Sequence, residues 1–230
     1  MKKILIVSGC SYTNKDWQSY IHPEMDCSWP KWPELLAKKI DMDCINLGKS
    51  GAGQEYIYSS LLEEIVKTKK DRIGLVMAAW SGARRDDYEF LTKYGTVGWT
   101  NVLKSEEFDF GSRKPVIEYF LNRSIRYIFS LQILCERYNL PLKQFQMVRL
   151  FSPQKTKNRK NFISKKILNS IFIDKINEDD FIGWPPTKEL GGFNFIDILG
   201  DNYDISEEDF HPNAEGQKFI AEFLYENIRS

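Results

Sequence analysis

The sequence predicts an α/β fold, a parallel sheet covered by helices on both faces. Three observations lead there. The short continuous apolar runs at residues 3–7 and 73–79 have the character of strands buried on both sides. Longer segments between such runs carry apolar residues at helical spacing. The two kinds alternate along the chain, as crossovers between parallel strands require.

Residues 3–7 (Lys3-Ile4-Leu5-Ile6-Val7) read as a central strand. Residues 29–40 read as a helix, with Trp32, Leu35, Leu36 and Ile40 on one face. Residues 44–47 are a second strand. Residues 54–69 are a strong helix through Ile57, Leu61, Leu62 and Ile65, and residues 73–79 are the third strand. Residues 86–114 lack a clean period and contain Gly95, Gly98 and Gly111, so they read as an inserted loop region. A long helix follows over 116–138, carrying Ile117, Leu121, Ile125, Ile128 and Leu131. The fourth strand is expected over 145–150. Residues 152–191 hold a basic stretch (Lys155, Lys157, Arg159, Lys160, Lys165, Lys166) and then Gly183-Trp184-Pro185-Pro186. The plain reading is a solvated loop with a short surface helix; the sharper one is a lid or a contact for an anionic substrate. The last helix spans 213–228, with Phe219, Ile220, Phe223 and Leu224 facing inward. The expected architecture is one three-layer α/β/α domain over residues 1–230. Its parallel sheet has four or five strands, with loop insertions at about 86–114 and 152–191. There is no internal repeat.

Composition narrows the function classes. A chain of 230 residues, 42% apolar and 14% aromatic, can bury a sizeable core and is not of disordered type. Formal net charge is zero, so no global field favours nucleic acid or an anionic membrane. No apolar run is long enough for a signal-peptide core or a membrane span, which gives a cytoplasmic expectation. Cys10, Cys27, Cys44 and Cys135 are scattered without a C-x-x-C pair. A zinc site or disulfide framework is therefore not expected, and Cys44 and Cys135 read as small apolar core residues. No metal or cofactor is implied.

Four segments carry candidate chemistry. The first is Ser8-Gly9-Cys10-Ser11-Tyr12-Thr13, directly after the first strand. A serine there sits at the carboxyl edge of the sheet, where open α/β folds place reactive groups. The glycine lets the backbone turn and approach a substrate closely. Ser11 could instead cap a following helix. Cys10 is the alternative nucleophile, but adjacent side chains diverge, and Ser11 is preferred. The second is Asn46-Leu47-Gly48-Lys49-Ser50-Gly51-Ala52-Gly53-Gln54, a glycine-rich turn whose amides suit an anion or oxyanion. Gly48-Lys49-Ser50 matches the end of a P-loop. The required first glycine is replaced by Asp43, so nucleotide hydrolysis is discounted, and the dinucleotide fingerprint fails as well. The third, Ala78-Ala79-Trp80-Ser81-Gly82-Ala83-Arg84-Arg85, ends the third strand at the same edge. The fourth is Glu208-Asp209-Phe210-His211-Pro212-Asn213. It holds one of only two histidines, beside acidic residues, at a helix start that Pro212 favours. His22 is the competing base, without such a constellation. A serine needs a base, that base needs an orienting carboxylate, and acyl transfer needs donors for the oxyanion.

In this order and spacing the four segments resemble the SGNH/GDSL hydrolase family over nearly the whole chain. The resemblance implies a flavodoxin-like parallel sheet in an α/β/α sandwich. It implies that Ser11 is the nucleophile and lends its own N–H to an oxyanion hole, that Gly51 donates a second N–H, and that His211 is the catalytic histidine. Three departures from the family pattern stand out. Cys10 replaces the aspartate of Gly-Asp-Ser. Ser81 stands where an asparagine donor is expected, with Arg84 as a substitute donor. The carboxylate is Asp209, two residues before His211, or Glu208, three before. Aspartate is the family's residue type and is preferred. The implied function is hydrolysis of a small ester, by analogy an O-acetylated carbohydrate, with Trp80, Trp99 and Trp184 as candidate sugar platforms. The alternatives are acyl transfer to another acceptor by the same residues, or a non-catalytic binding or structural protein that kept the fold.

Overall fold

The computed structural model describes residues 1–91, 97–103, 117–151 and 157–229. Among the described residues the elements run β1 (Ile4–Gly9), α1 (Trp32–Lys39), β2 (Asp43–Asn46), α2 (Gln54–Lys67), β3 (Ile73–Trp80), β4 (Arg85–Leu91), β5 (Val97–Leu103), α3 (Ile117–Tyr138), β6 (Leu142–Gln146), α4 (Lys157–Leu168), β7 (Phe181–Ile182), α5 (Phe195–Leu199) and α6 (Ala214–Asn227).

Five strands form one parallel sheet in the order β2-β1-β3-β6-β7. From β1 the chain first adds β2 on one side, then crosses to β3 on the other. The order therefore reverses between β1 and β3, and such a reversal leaves a crevice at the carboxyl ends of those two strands. β1 is buried along its whole length, which accounts for its unbroken apolar run. Helices cover both faces: α1 packs with α6, and α2 with α3. In α2 the buried positions Ile57, Leu61 and Ile65 recur every fourth residue. In α3 the stripe runs from Phe120 through Ile125, Ile128 and Leu131 to Cys135. The Asn213 side chain accepts the Gly216 amide and so caps α6. Among the described residues no helix is long and apolar enough to cross a membrane.

Three stretches differ from expectation. The fourth sheet strand, β6, ends at Gln146 and so lies earlier than residues 145–150. Its ladder with β3 closes at Trp80↔Gln146, yet Met147, Val148 and Leu150 are buried beyond it as irregular chain. Their apolar character reflects burial, not pairing. Residues 86–114 are not a plain loop. β4 and β5 form an antiparallel hairpin from Arg85↔Leu103 to Leu91↔Val97, and residues 104–116 lie outside the described set. Tyr88 and Glu89 are both exposed, so this strand lacks the one-sided burial that produces alternation. Within 152–191 the basic residues from Lys157 to Lys166 lie on α4, while Lys155 lies outside the described residues. Ile163 and Ile167 of α4 are buried, and Lys160 and Lys166 pair with Glu189 and Glu118. Strand β7 then adds the fifth member of the sheet.

Candidate active site

The chain leaves β1 at Gly9 and turns back at once. The amides of Thr13 and Asn14 both donate to the Cys10 carbonyl, at 2.9 and 3.1 Å. The next helix begins only at Trp32, so Ser11 sits in a tight turn over the end of β1 and caps no helix. Gly9 is required there by crowding. A Cβ at this position would lie 2.3 Å from Thr13 Oγ1 and 2.9 Å from the Ala79 Cβ. Its role is to let the turn pack onto β3, not to open an approach for a substrate. Cys10 turns into the hydrophobic core and is fully buried, and Ser11 faces the other way.

The Ser11 Oγ lies 2.8 Å from Nε2 of His211, a residue 200 positions further along the chain. On the far side of the ring, His211 Nδ1 lies 2.6 Å from Asp209 Oδ1. A carboxylate can only accept, so it holds the proton on Nδ1 and leaves Nε2 free to accept from the serine hydroxyl. Asp209 is buried, and its second oxygen accepts the Ser19 hydroxyl at 2.5 Å. The tight turn between Ser206 and Asp209 brings the residue two before the histidine under its ring. Glu208, the longer-armed alternative, is exposed on the surface.

Burial pulls the His211 imidazole below its ordinary pKa. Asp209 opposes that shift, and the Arg85 charge adds to it. Burial pushes the Asp209 carboxyl up. Hydrogen bonds from Ser19 and His211 outweigh it and hold the group below the usual carboxylate range. At neutral pH the pair is therefore a carboxylate and a neutral imidazole.

Two aromatic rings hold the imidazole, and neither was among the residues nominated from sequence. Trp17 stacks on it with centroids 4.3 Å apart, and Tyr12 lies tilted at 5.0 Å. The Tyr12 hydroxyl donates to the Phe210 carbonyl at 2.6 Å, fixing the residue beside His211. Ser19, below Asp209, was missed as well. The available signal was the density of aromatic and hydroxyl residues just after Ser11.

The glycine-rich turn after β2 packs against the Ser11 turn. Asn46 Nδ2 donates to the Thr13 carbonyl at 2.8 Å, and Asn14 Nδ2 donates to Ser50 Oγ at 3.0 Å. Gly51 adopts a φ of 76°, the left-handed region that favours glycine. Two of the amides at the start of α2 are already occupied. Asp87 of β4 accepts from Gly53 N at 2.7 Å and from Tyr56 N at 3.0 Å. The helix N-terminus expected to receive an anion is thus filled by the protein's own carboxylate. Upstream of it, among the described residues, the Ser11 and Gly51 amides donate to no protein group.

At the end of β3 the nominated residues separate. Trp80 is fully buried, and its Nε1 donates to Gln144 Oε1 at 3.0 Å, so it is a core residue and presents no platform to a substrate. Ser81 has no accessible surface, and among the described residues its Oγ has no hydrogen-bond partner, while its carbonyl accepts from Gln54 and Gln146. Arg84 is exposed, with its guanidinium 6.0 Å from the Phe120 ring centroid. Its neighbour Arg85 turns toward the site, donating from Nη1 to the Ala52 carbonyl at 3.1 Å, one residue from Gly51. The candidate platforms Trp99 and Trp184 pack edge-on against Tyr56 and Phe181.

No protein-family model matches the sequence, and no curated protein matches it. Solved structures do match. The chain is similar to the psychrotrophic esterase EstA from Pseudoalteromonas at 14% identity and a TM-score of 0.55, covering 99% of this chain and 97% of that one. Against the lipase Lip_vut3 from a goat rumen metagenome the values are 12% identity and 0.58, covering 98% and 97%. A carbohydrate esterase gives 13% and 0.54, covering 99% of this chain and 68% of that one. The sheet order, the helices on both faces and these likenesses agree: the chain has the α/β/α fold of the SGNH/GDSL hydrolases.

Proposed function

We propose that the protein is a serine hydrolase of carboxylic esters. The observation that carries this reading is the hydrogen-bonded chain from Ser11 Oγ through His211 to Asp209, at 2.8 and 2.6 Å, over the β1/β3 crevice. Ser11 Oγ attacks the ester carbonyl carbon as its proton passes to His211 Nε2. Asp209 stabilises the imidazolium that forms. The tetrahedral oxyanion is received by the uncommitted amides of Ser11 and Gly51. His211 then gives its proton to the departing alkoxide, which leaves an acyl-serine. A water molecule, deprotonated by the same imidazole, releases the carboxylic acid and restores Ser11. The Ser81 hydroxyl is sealed from solvent, so in this reading the oxyanion hole rests first on the two backbone donors.

The fold neighbours support ester hydrolysis in general: they are an esterase, a lipase and a carbohydrate esterase, and the EstA structure is described as inhibited by monoethylphosphonate. A small ester such as an O-acetylated carbohydrate is the substrate class we favour, on the strength of the carbohydrate-esterase neighbour. Acyl transfer to an acceptor other than water would use the same residues. Turnover of p-nitrophenyl acetate and of acetylated sugars tests the reading. Ser11→Ala is expected to lower kcat by at least about 10³-fold, and a fluorophosphonate is expected to modify Ser11. Wild-type protein that neither turns over these esters nor takes the fluorophosphonate would be a non-catalytic binding protein.

A further inference from the structure

Asp209 is a buried carboxylate with two oxygens, and the hydrolytic reading above gives work to only one of them. Oδ1 accepts from His211 Nδ1 at 2.6 Å and from the His211 amide at 3.2 Å. Oδ2 points away from the imidazole and meets Ser19 Oγ at 2.5 Å. Ser19 is itself buried, and its oxygen accepts the amides of Ile21 and His22 at 3.2 and 3.0 Å. Those two donors occupy the lone pairs of the hydroxyl, so its one proton is directed at Asp209. The same segment grips the loop that carries Asp209 at a second point. His22 Nε2 lies 2.8 Å from Ser206 Oγ, which accepts the amides of Asp209 and Glu208 at 3.1 and 3.3 Å. Two residues before Ser19, Trp17 stacks on His211.

From this geometry we infer that Ser19 is a positioning residue for the Asp209–His211 pair, and that residues 17–22 form a strap which sets the rotamer of the carboxylate. The inference rests on the hydrolytic reading for its consequence in rate, but not for its consequence in structure. A carboxylate on a one-carbon arm, held through one oxygen alone, can still swing about its χ torsions. Tethering the second oxygen removes that freedom and supplies the partner a buried charge needs. The ordering travels from the Ile21 and His22 amides to Ser19, then to Asp209, His211 and Ser11.

The test is a proton NMR titration of His211 in the full chain. The other groups that act on the Asp209–His211 pair are Arg85, Asp204 and Tyr12, and all are left intact. In Ser19→Ala the freed carboxylate is expected to leave Nδ1, so His211 loses the partner that raises it and titrates at lower pH than in wild type. Ser19→Cys, which keeps the volume and a weak donor, is expected to fall between them. In p-nitrophenyl acetate turnover the same series is expected to lower kcat about tenfold for Ala, with KM nearly unchanged, as for the loss of an orienting contact. A His211 titration in both variants at or above the wild-type pH, with thermal melts showing both folded, overturns the inference. The NMR result stands even if wild type shows no turnover, which would refute only the hydrolytic reading.

Discussion

His211 lies under two opposed charges, and their balance sets the pH at which it can act as a base. Burial lowers its pKa most, Asp209 raises it, and Arg85 lowers it again. A histidine takes a proton from serine only when neutral, so activity should climb as pH rises through a value below the ordinary histidine range. Replacing Arg85 with glutamine removes a charge that favours the neutral ring. The pKa of His211 then rises, and the acid limb of kcat/KM is expected to move to higher pH. Arg84→Gln serves as control, because that side chain is exposed against Phe120. An unmoved limb in Arg85→Gln, read from full pH profiles of both variants, would remove Arg85 from the electrostatics of the site. The two arginines also mark the reach of sequence reading at single residues. Which of two adjacent arginines faces the crevice depends on where β4 starts, and no local signal sets that. Ser11 and His211 were legible because each lies next to a strong element boundary. Trp17 and Ser19 were not, because the chain between β1 and α1 is irregular and its contacts are with residues some 190 positions away.

At the scale of elements, α2 shows how one segment completes another. Its N-cap is Gly53, which has no side chain to offer the free amides of the first turn. Asp87 of the hairpin supplies the carboxylate instead, bridging Gly53 N and Tyr56 N. The fit explains the glycine, since a Cβ on residue 53 would lie 2.5 Å from Asp87 Oδ2. Asp87→Ala is expected to cost about 1–2 kcal/mol, the value of a helix cap with its charge–dipole contribution. Urea unfolding measures it, and a loss below about 0.5 kcal/mol would show that water replaces the carboxylate without penalty. Helices α2, α3 and α6 were readable from the 3.6-residue period because each buries one stripe and wets the rest. The hairpin was not readable. On β4 Tyr88 and Glu89 are both exposed, so the alternation that reveals a strand does not develop there. β6 was displaced for the opposite reason: burial continues past the last ladder pair, and an apolar run cannot say where hydrogen bonding stops.

For the whole molecule the decisive feature is the reversal of strand order between β1 and β3. It places the turn after β1 over the crevice and lets the segment before α6 reach it. A site assembled this way exists only while the sheet and both helical layers are intact. The cysteines give an independent measure of that integrity. Cys10, Cys27 and Cys135 are buried, and burial pushes the thiols of Cys135 and of half-buried Cys44 up to about 12. A thiol with that pKa is about one part in 10⁴ thiolate at pH 8, and the thiolate is the form that alkylates. The folded chain is therefore expected to resist iodoacetamide at pH 8, and all four thiols should react once it unfolds. Fluorophosphonate labelling of Ser11 should show the reverse dependence, since it needs His211 in place. Followed across a urea series, the two reagents should change at one midpoint, the behaviour of a single cooperative transition. Loss of Ser11 labelling at lower urea than the gain of thiol labelling would mean that the His211 loop detaches first. The strap from Trp17 to His22 would then be the weakest joint of the molecule.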